Sequence, residues 1–441
     1  MACGTIGSCR VIHALLIFGR IFLIRLFKRS EARLEKMGSP FHSASGRKMR
    51  VIIGTFVHNY RWGVQIRGDE RGFVEKVKRY RDRGFEFYTV EKRPSVQAGM
   101  KESIYRSEFL GNCAIPPQDF GQLATLSLMG LKAALRKYPS RPFAIYAYNQ
   151  DVENLWLGYL LKVLVGAPLV VIYHQIRPAS FVPFRRGFAD RVRRGFHPIR
   201  AFTKSLLPAM NMYAAEHADI HIALSQATRI DVETHLGIKE CKVIGNGLDT
   251  EKFRPLDLPK TIDAVFLGRL APQKGIDVLL EAWSEVVRGD PDLRLVLIGG
   301  GETKEVLRYR RMVKELSLEN NVYFAGFLED DEVVRLLSSS KLFVFPSRQE
   351  GFAQAVSQAM GCGLCCILSD IPPLREVYGS AAVFSPLNQP KPLAETIRRL
   401  LDAEEERSLY SERARRLAEK FSWDDAVKQE ISLVRAFSRV T

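Results

Sequence analysis

Several features that would assign a class at once are missing from this 441-residue sequence. Its apolar N-terminal stretch, residues 11–27 (VIHALLIFGRIFLIRLF), is short and is interrupted by Arg20 and Arg25. A spanning helix needs about 20 apolar residues, and an Arg near its centre costs roughly 2.5 kcal/mol or more. An interfacial helix with Arg25, Lys28 and Arg29 near anionic lipid fits that stretch better. No small-residue cleavage site follows it, which argues against a secretory signal. The seven cysteines, an odd number, do not supply the two C-x-x-C pairs of a four-cysteine zinc site. Cys362, Cys365 and Cys366 surround an apolar run, so buried thiols in a reducing cytoplasm are expected. The run GGGE at 299–302 lacks the G-x-G-x-x-G spacing of a dinucleotide fingerprint and reads as a tight turn.

Acidic residues are also scarce, 49 against 65 Lys and Arg, for a formal charge of +16. The excess is local. Residues 1–48 hold nine cations against two acids, and residues 177–204 hold eight against one, leaving +2 for the remainder. Two basic patches on an otherwise balanced chain suggest a partner surface. In the second patch Phe181, Phe184, Phe188, Phe196 and Phe202 interleave with the cations. Without an RNA- or DNA-binding motif beside it, an anionic membrane surface is the expected partner and nucleic acid is not; a solvated helix face is the plainer alternative.

The length favours two domains. From Met49, itself an alternative start after the linker-like SPFHSASGRK, strands and helices alternate. Val51–Phe56, Phe85–Val90, Phe143–Tyr148, Leu169–Tyr173, Ala218–Leu224 and Lys242–Ile244 read as strands, with helices at Asp69–Arg83, Gln118–Tyr138 and Val152–Val165 between them. Ser225 reads as the N-cap of a further helix. Such alternation means a parallel sheet covered by helices. NGLDTEKFRPLDLP, rich in turn residues, is the expected linker, and a second alternation starts near Thr261.

In that second half the stretch FVFPSRQEGFAQAVSQAMGCGLCCILSDIPPLREV (343–377) reads as strand, loop, helix, strand. Glu350 is then at the carboxyl end of a strand and ahead of a helix N-terminus, where an open α/β sheet binds ligands. This stretch resembles the donor-site signature of the retaining glycosyltransferases of family 4 (glycosyl transferases group 1), and the likeness extends to GRLAPQKGIDVLLEAW (268–283), LVLIGGGE (295–302), VYFAGFLEDDEV (322–333) and the segment 218–255.

The resemblance implies a GT-B fold: two Rossmann-like domains facing a cleft, with a C-terminal helix crossing back to the first. Expected divisions are a basic extension at 1–48, an acceptor domain at 49–257, a nucleotide-sugar donor domain at 258–420 and the crossover helix at 421–441. It also implies roles. Arg269 and Lys274 would bind the donor diphosphate, Glu350 would bond sugar hydroxyls, and Gly351 and Phe352 would offer backbone N–H groups. Gly326, Phe327 and Leu328 would read the base, Gly63 would let the first-domain loop approach the diphosphate, and His174 would lie near the acceptor and the anomeric carbon. The family's E-x7-E motif is altered here, because position 358 is Gln; that residue would face the ribose. No metal and no cofactor are expected, and Asp330 and Asp331 read as a helix N-terminus. The implied activity is transfer of a sugar from a nucleotide-sugar to a lipid-linked or membrane-proximal acceptor, at the cytoplasmic face. A nucleotide-sugar 2-epimerase of the same fold, or a weakly catalytic nucleotide-sugar-binding subunit, remains open.

Overall fold

The computed structural model describes residues 50–55, 68–91, 106–109, 120–137 and 142–440. The N-terminal extension, Met49 and the loop bearing Gly63 lie outside the described residues.

The first domain carries a seven-stranded, all-parallel sheet: β1 (Arg50–Gly54), β2 (Phe85–Glu91), β3 (Arg106–Phe109), β4 (Ala144–Ala147), β5 (Leu169–Tyr173), β6 (Ile220–Ala223) and β7 (Cys241–Val243). Their order is β3-β2-β1-β4-β5-β6-β7. Every residue of β4, β5 and β6 is buried, as expected for strands covered by helices on both faces. The covering helices are Gly68–Arg81, Phe120–Lys137, Val152–Val165, Pro198–Glu216 and Gln226–Leu236. Ser225 caps the last of these, its hydroxyl accepting the Thr228 N–H at 3.2 Å.

The second sheet, also parallel, comprises β8 (Ile262–Leu267), β9 (Leu295–Ile298), β10 (Val322–Gly326), β11 (Ser340–Phe345), β12 (Cys365–Ser369) and β13 (Val383–Ser385), ordered β10-β9-β8-β11-β12-β13. The 299–302 turn follows β9. A Cβ on Gly299 (φ 133°) would lie 2.0 Å from the Gly268 carbonyl oxygen, so glycine is required where these two loops touch. Glu329 caps the helix Asp330–Ser338 in a reciprocal capping box with Glu332. Cys362, Cys365 and Cys366 are buried, and burial pushes the first two thiols up to about 12 and the third well above its ordinary value.

The chain crosses between domains twice, and the crossings touch. Leu248 N–H donates to the Phe421 carbonyl at 3.0 Å, and a Cβ on Gly247 would lie 2.2 Å from the Trp423 nitrogen. The helix Trp423–Val440 then returns to the first domain. Its fully buried Glu430 meets Lys76 Nζ at 2.5 Å and accepts from Tyr80 OH at 2.9 Å. A buried ion pair survives when further hydrogen bonds complete it, and this one pins the returning helix to the first sheet's layer.

Two short strands and two helices went unread in the sequence. β3 (RSEF) and β13 (VFS) are short sheet-edge strands of four and three residues. The basic patch folds into a helix Phe184–Arg193 and the start of Pro198–Glu216, which opens on proline and carries Pro208 inside. Among the described residues no helix is long and apolar enough to cross a membrane.

Candidate functional site

Both sheets aim their carboxyl ends at the cleft. In the second sheet the strand order reverses between β8 and β11, which makes the crevice beyond those two strands the ligand position of an open α/β sheet. The loop after β8 carries Arg269 and Lys274, and the loop after β11 carries Glu350. They meet across the switch point: Lys274 Nζ lies 2.5 Å from Glu350 Oε1, and Ser347 Oγ donates to the same oxygen at 2.6 Å. The two side chains are 19% and 8% exposed. Lys274 also lies over the Phe345 ring, 5.2 Å from its centroid. Gly275 (φ 68°) makes the approach possible, since a Cβ there would lie 2.0 Å from the Pro346 carbonyl oxygen. Arg269 is exposed at the start of the same loop.

A residue not singled out from sequence ties these loops together. Arg348 forks onto Asp277 at 2.9 and 3.0 Å, reaches the Pro272 carbonyl at 2.5 Å and Asn388 Oδ1 at 2.6 Å, and its N–H donates to the Gln273 carbonyl at 2.8 Å. Sequence shows it only as one more loop cation.

The first sheet reverses between β1 and β4, and His174 directly follows β5 beside that point. Its Nε2 lies 2.8 Å from the Tyr148 carbonyl. A carbonyl only accepts, so Nε2 carries a proton and donates it there. Gln150 brackets the backbone here, its Oε1 accepting from His174 N–H at 3.2 Å and its amide donating to the Gln175 carbonyl. Asn211 holds the Gln150 carbonyl in turn at 3.1 Å. Sequence reasoning missed these amides, although Gln150 lies only three residues past the end of β4.

The two edges are in contact. A Cβ on Gly351 would lie 1.5 Å from the His174 carbonyl oxygen and 3.2 Å from Thr228 Oγ1. Phe352 packs its ring against Phe421 and Tyr378, with centroids 5.6 and 6.2 Å away, so its side chain belongs to the domain junction. Glu376 crosses the cleft, its carboxylate accepting the N–H groups of Gln226 and Ala227 at 2.5 and 2.7 Å, at the open end of a helix. Gln358 is 7% exposed on the helix Gln354–Gly361. Gly326 ends the edge strand β10 and Phe327 and Leu328 follow it, with Gly326 at φ 71° and Leu328 packed on the core. No group of three or more His, Cys, Asp or Glu among the described residues could hold a metal ion.

Comparison with known proteins bears on the family and the fold. The family model described as glycosyl transferases group 1 matches residues 249–417, and the model for glycosyltransferase family 4 matches residues 66–252. An uncharacterized glycosyltransferase of Methanocaldococcus jannaschii is 28% identical over 221 residues, which is 49% of this chain and 59% of that protein. The GDP-mannose:cellobiosyl-diphosphopolyprenol alpha-mannosyltransferase of Xanthomonas campestris is 28% identical over 56% of this chain and 63% of its own. The match therefore spans less than two thirds of the length of either curated relative. The crystal structure of Anabaena HepE in complex with UDP and glucose superposes with a TM-score of 0.68 at 21% identity, covering 88% of this chain and 99% of that one; at this identity the likeness establishes the fold.

Proposed function

The chain belongs to the glycosyltransferases of family 4 and group 1, with the GT-B fold, and from this premise we propose that it moves a hexose-type sugar from a nucleotide-sugar to a lipid-linked or membrane-proximal acceptor with retention of anomeric configuration. The observation that carries the reading is the meeting of Lys274 and Glu350 across the β8/β11 switch point, with Gly351 pressed onto the His174 backbone opposite.

In this arrangement Lys274 and Arg269 take the donor diphosphate, and Glu350 takes hydroxyls of the sugar. Without donor these partners satisfy each other, so the diphosphate draws Lys274 and the sugar engages Glu350. As the bond from the anomeric carbon to the phosphate oxygen breaks, negative charge grows on the diphosphate, and preorganised cations there lower the barrier. The acceptor oxygen bonds to the anomeric carbon on the face the phosphate leaves, and its proton passes to the leaving phosphate oxygen. That balance needs no separate base. His174 borders the acceptor side, Gly326 to Leu328 the base, and Gln358 the ribose. Gly63 belongs to the same site by family pattern.

The membrane-facing part of the proposal rests on the two basic helices. They expose Ile199 (69%) and Phe202 (44%) beside the exposed Arg185, Arg186, Arg193, Arg194 and Arg200. Apolar side chains among cations fit an anionic interface at the cytoplasmic face, at roughly 1 kcal/mol per cation near the surface.

The test is incubation with UDP-, GDP- and ADP-sugars, with and without a polyprenyl-diphosphate-linked acceptor, following nucleoside diphosphate release and product anomery by NMR. Acceptor-dependent release with retention supports the proposal. Interconversion of donor without acceptor would identify an epimerase, and binding without release a non-catalytic subunit. Salt-sensitive flotation with anionic but not neutral vesicles, lost on replacing Arg185, Arg186, Arg193 and Arg194 with Ser, tests the membrane surface.

A further inference from the structure

Lys274 and Glu350 are separated by 76 residues and sit on loops from different strands, yet their heads are 2.5 Å apart. Loops of this kind have few partners of their own, so something outside the pair must set their spacing. The Gln273 carbonyl accepts from Arg348 N–H at 2.8 Å, which stitches one loop to the other immediately beside both functional residues. The Arg348 guanidinium extends that stitch. It reaches the Pro272 carbonyl, forks onto Asp277 in the first turn of the helix Ile276–Val286, and takes Asn388 from the loop after β13. Asp277 is also approached by Arg308 at 3.7 Å. A planar guanidinium can hold a carboxylate and a carbonyl at once with little loss of freedom per bond, which an ammonium cannot.

We propose that Arg348 is a positioning residue: its fork onto Asp277 and Pro272 locks the Lys274 loop to the Glu350 loop and so sets the spacing on which a sugar diphosphate is gripped at both ends. Arg348 points its charge into Asp277 and touches no proposed substrate position, so its effect on the donor passes through Lys274 and Glu350. The inference rests on the transferase reading for its kinetic consequence but not for the clamp itself.

The test therefore has two arms. Amide hydrogen exchange of the full-length protein, without ligand, should quicken at least tenfold over residues 271–276 and 346–351 in Arg348→Ala, while the strands β8 and β11 stay protected. Unchanged exchange in those loops would overturn the clamp whether or not the protein transfers sugar. In transfer assays Arg348→Ala should lower kcat/KM for the donor about 100-fold, the size of effect that a displacement near 1 Å produces, with most of the loss in kcat. Arg348→Lys should regain no more than about tenfold of it. Asp277→Ala should match Arg348→Ala, and the double variant should be no worse than either single, as for residues acting through one contact. Multiplying losses in the double variant, or a lowered melting temperature with kcat unchanged per folded molecule, would reduce Arg348 to a stabilising role. Absence of transfer in the wild type would count against the transferase reading, and the exchange arm would still decide the clamp.

Discussion

The two carboxyl edges that face each other across the cleft differ in chemistry. The second sheet's edge is ionic, with Lys274 on Glu350 and Arg348 on Asp277. On the first sheet's edge Gln150, Asn211 and the His174 imidazole are bonded to backbone carbonyls. An anion entering the cleft finds charge that can change partners on one side and, on the other, groups that only donate or accept single hydrogen bonds. A hydroxylated, uncharged group suits the second environment as a diphosphate suits the first. On the proposed reading, the donor would bind the ionic loops and the acceptor would approach from the other edge.

Removing the cation from the ionic edge should have the largest effect. Loss of one preorganised charge donor costs about 3–4 kcal/mol in the transition state, so Lys274→Ala should cut turnover by about two to three orders of magnitude. If more than about a tenth of wild-type turnover remained, a loss of less than about 1.4 kcal/mol, the diphosphate role of Lys274 would be wrong. Glu350→Gln should be similarly crippled in steady-state assays, since it removes the charge and half the acceptor capacity.

The first sheet's interior, away from the cleft edge, can be challenged through pH. His221, buried in β6, has its imidazole pushed down to about 4 chiefly by desolvation, with Lys162 also lowering it and Asp219 and the Ala218 backbone opposing. The folded chain holds this ring neutral while the unfolded chain protonates near 6.5. Stability is therefore whole above pH 6.5 and is lost as pH falls from there to about 4, by about 3 kcal/mol at 1.36 kcal/mol per unit. His221→Gln, which can still accept from the Tyr173 hydroxyl that now lies 3.1 Å from Nδ1, should flatten that slope in urea titrations. A slope unchanged in the variant would assign the acid lability elsewhere.

Contact between the edges is tested by Gly351→Ala. The added methyl would collide with the His174 carbonyl, so the domains could no longer meet there. Transfer should fall about 100-fold, while binding of UDP or GDP, measured by calorimetry, changes by less than about threefold. Loss of nucleotide binding to the same extent as transfer would mean that Gly351 matters to the second domain alone.

Much of this was open to sequence reading because short, turn-bounded apolar runs such as the β-branched LVVIY in β5 and LFVF in β11 read as buried strands, and the turns after them sit where parallel sheets bind ligands. Glu350 and Lys274 were legible from that placement together with the family pattern. Arg348 was not, because its meaning lies in Asp277, 71 residues away; neither was the approach of Gly351 to His174, which depends on how two domains dock. β3 escaped because the edge strand RSEF carries only one strongly apolar residue, and edge strands need no buried face on their outer side.

The smallest expected effect concerns Gln358, where the ionic edge gives up a charge. A Glu at that position would accept from both ribose hydroxyls with a formal charge, and charge-assisted bonds are roughly twice as strong as neutral ones. Gln keeps a carbonyl acceptor and adds an N–H₂ donor, so it can still span a diol by accepting from one hydroxyl and donating to the other. Its 7% exposure means the amide is largely withdrawn from water, which favours a neutral group when the site is empty and a charged one only when the ribose is present. Those tendencies partly offset, leaving a difference of about 1 kcal/mol. Gln358→Glu should therefore tighten donor binding a few-fold, leave turnover within an order of magnitude, and lower the melting temperature of the free protein slightly. Donor affinity unchanged in calorimetry would remove Gln358 from the ribose contact and leave Lys274 and Glu350 to define the donor site.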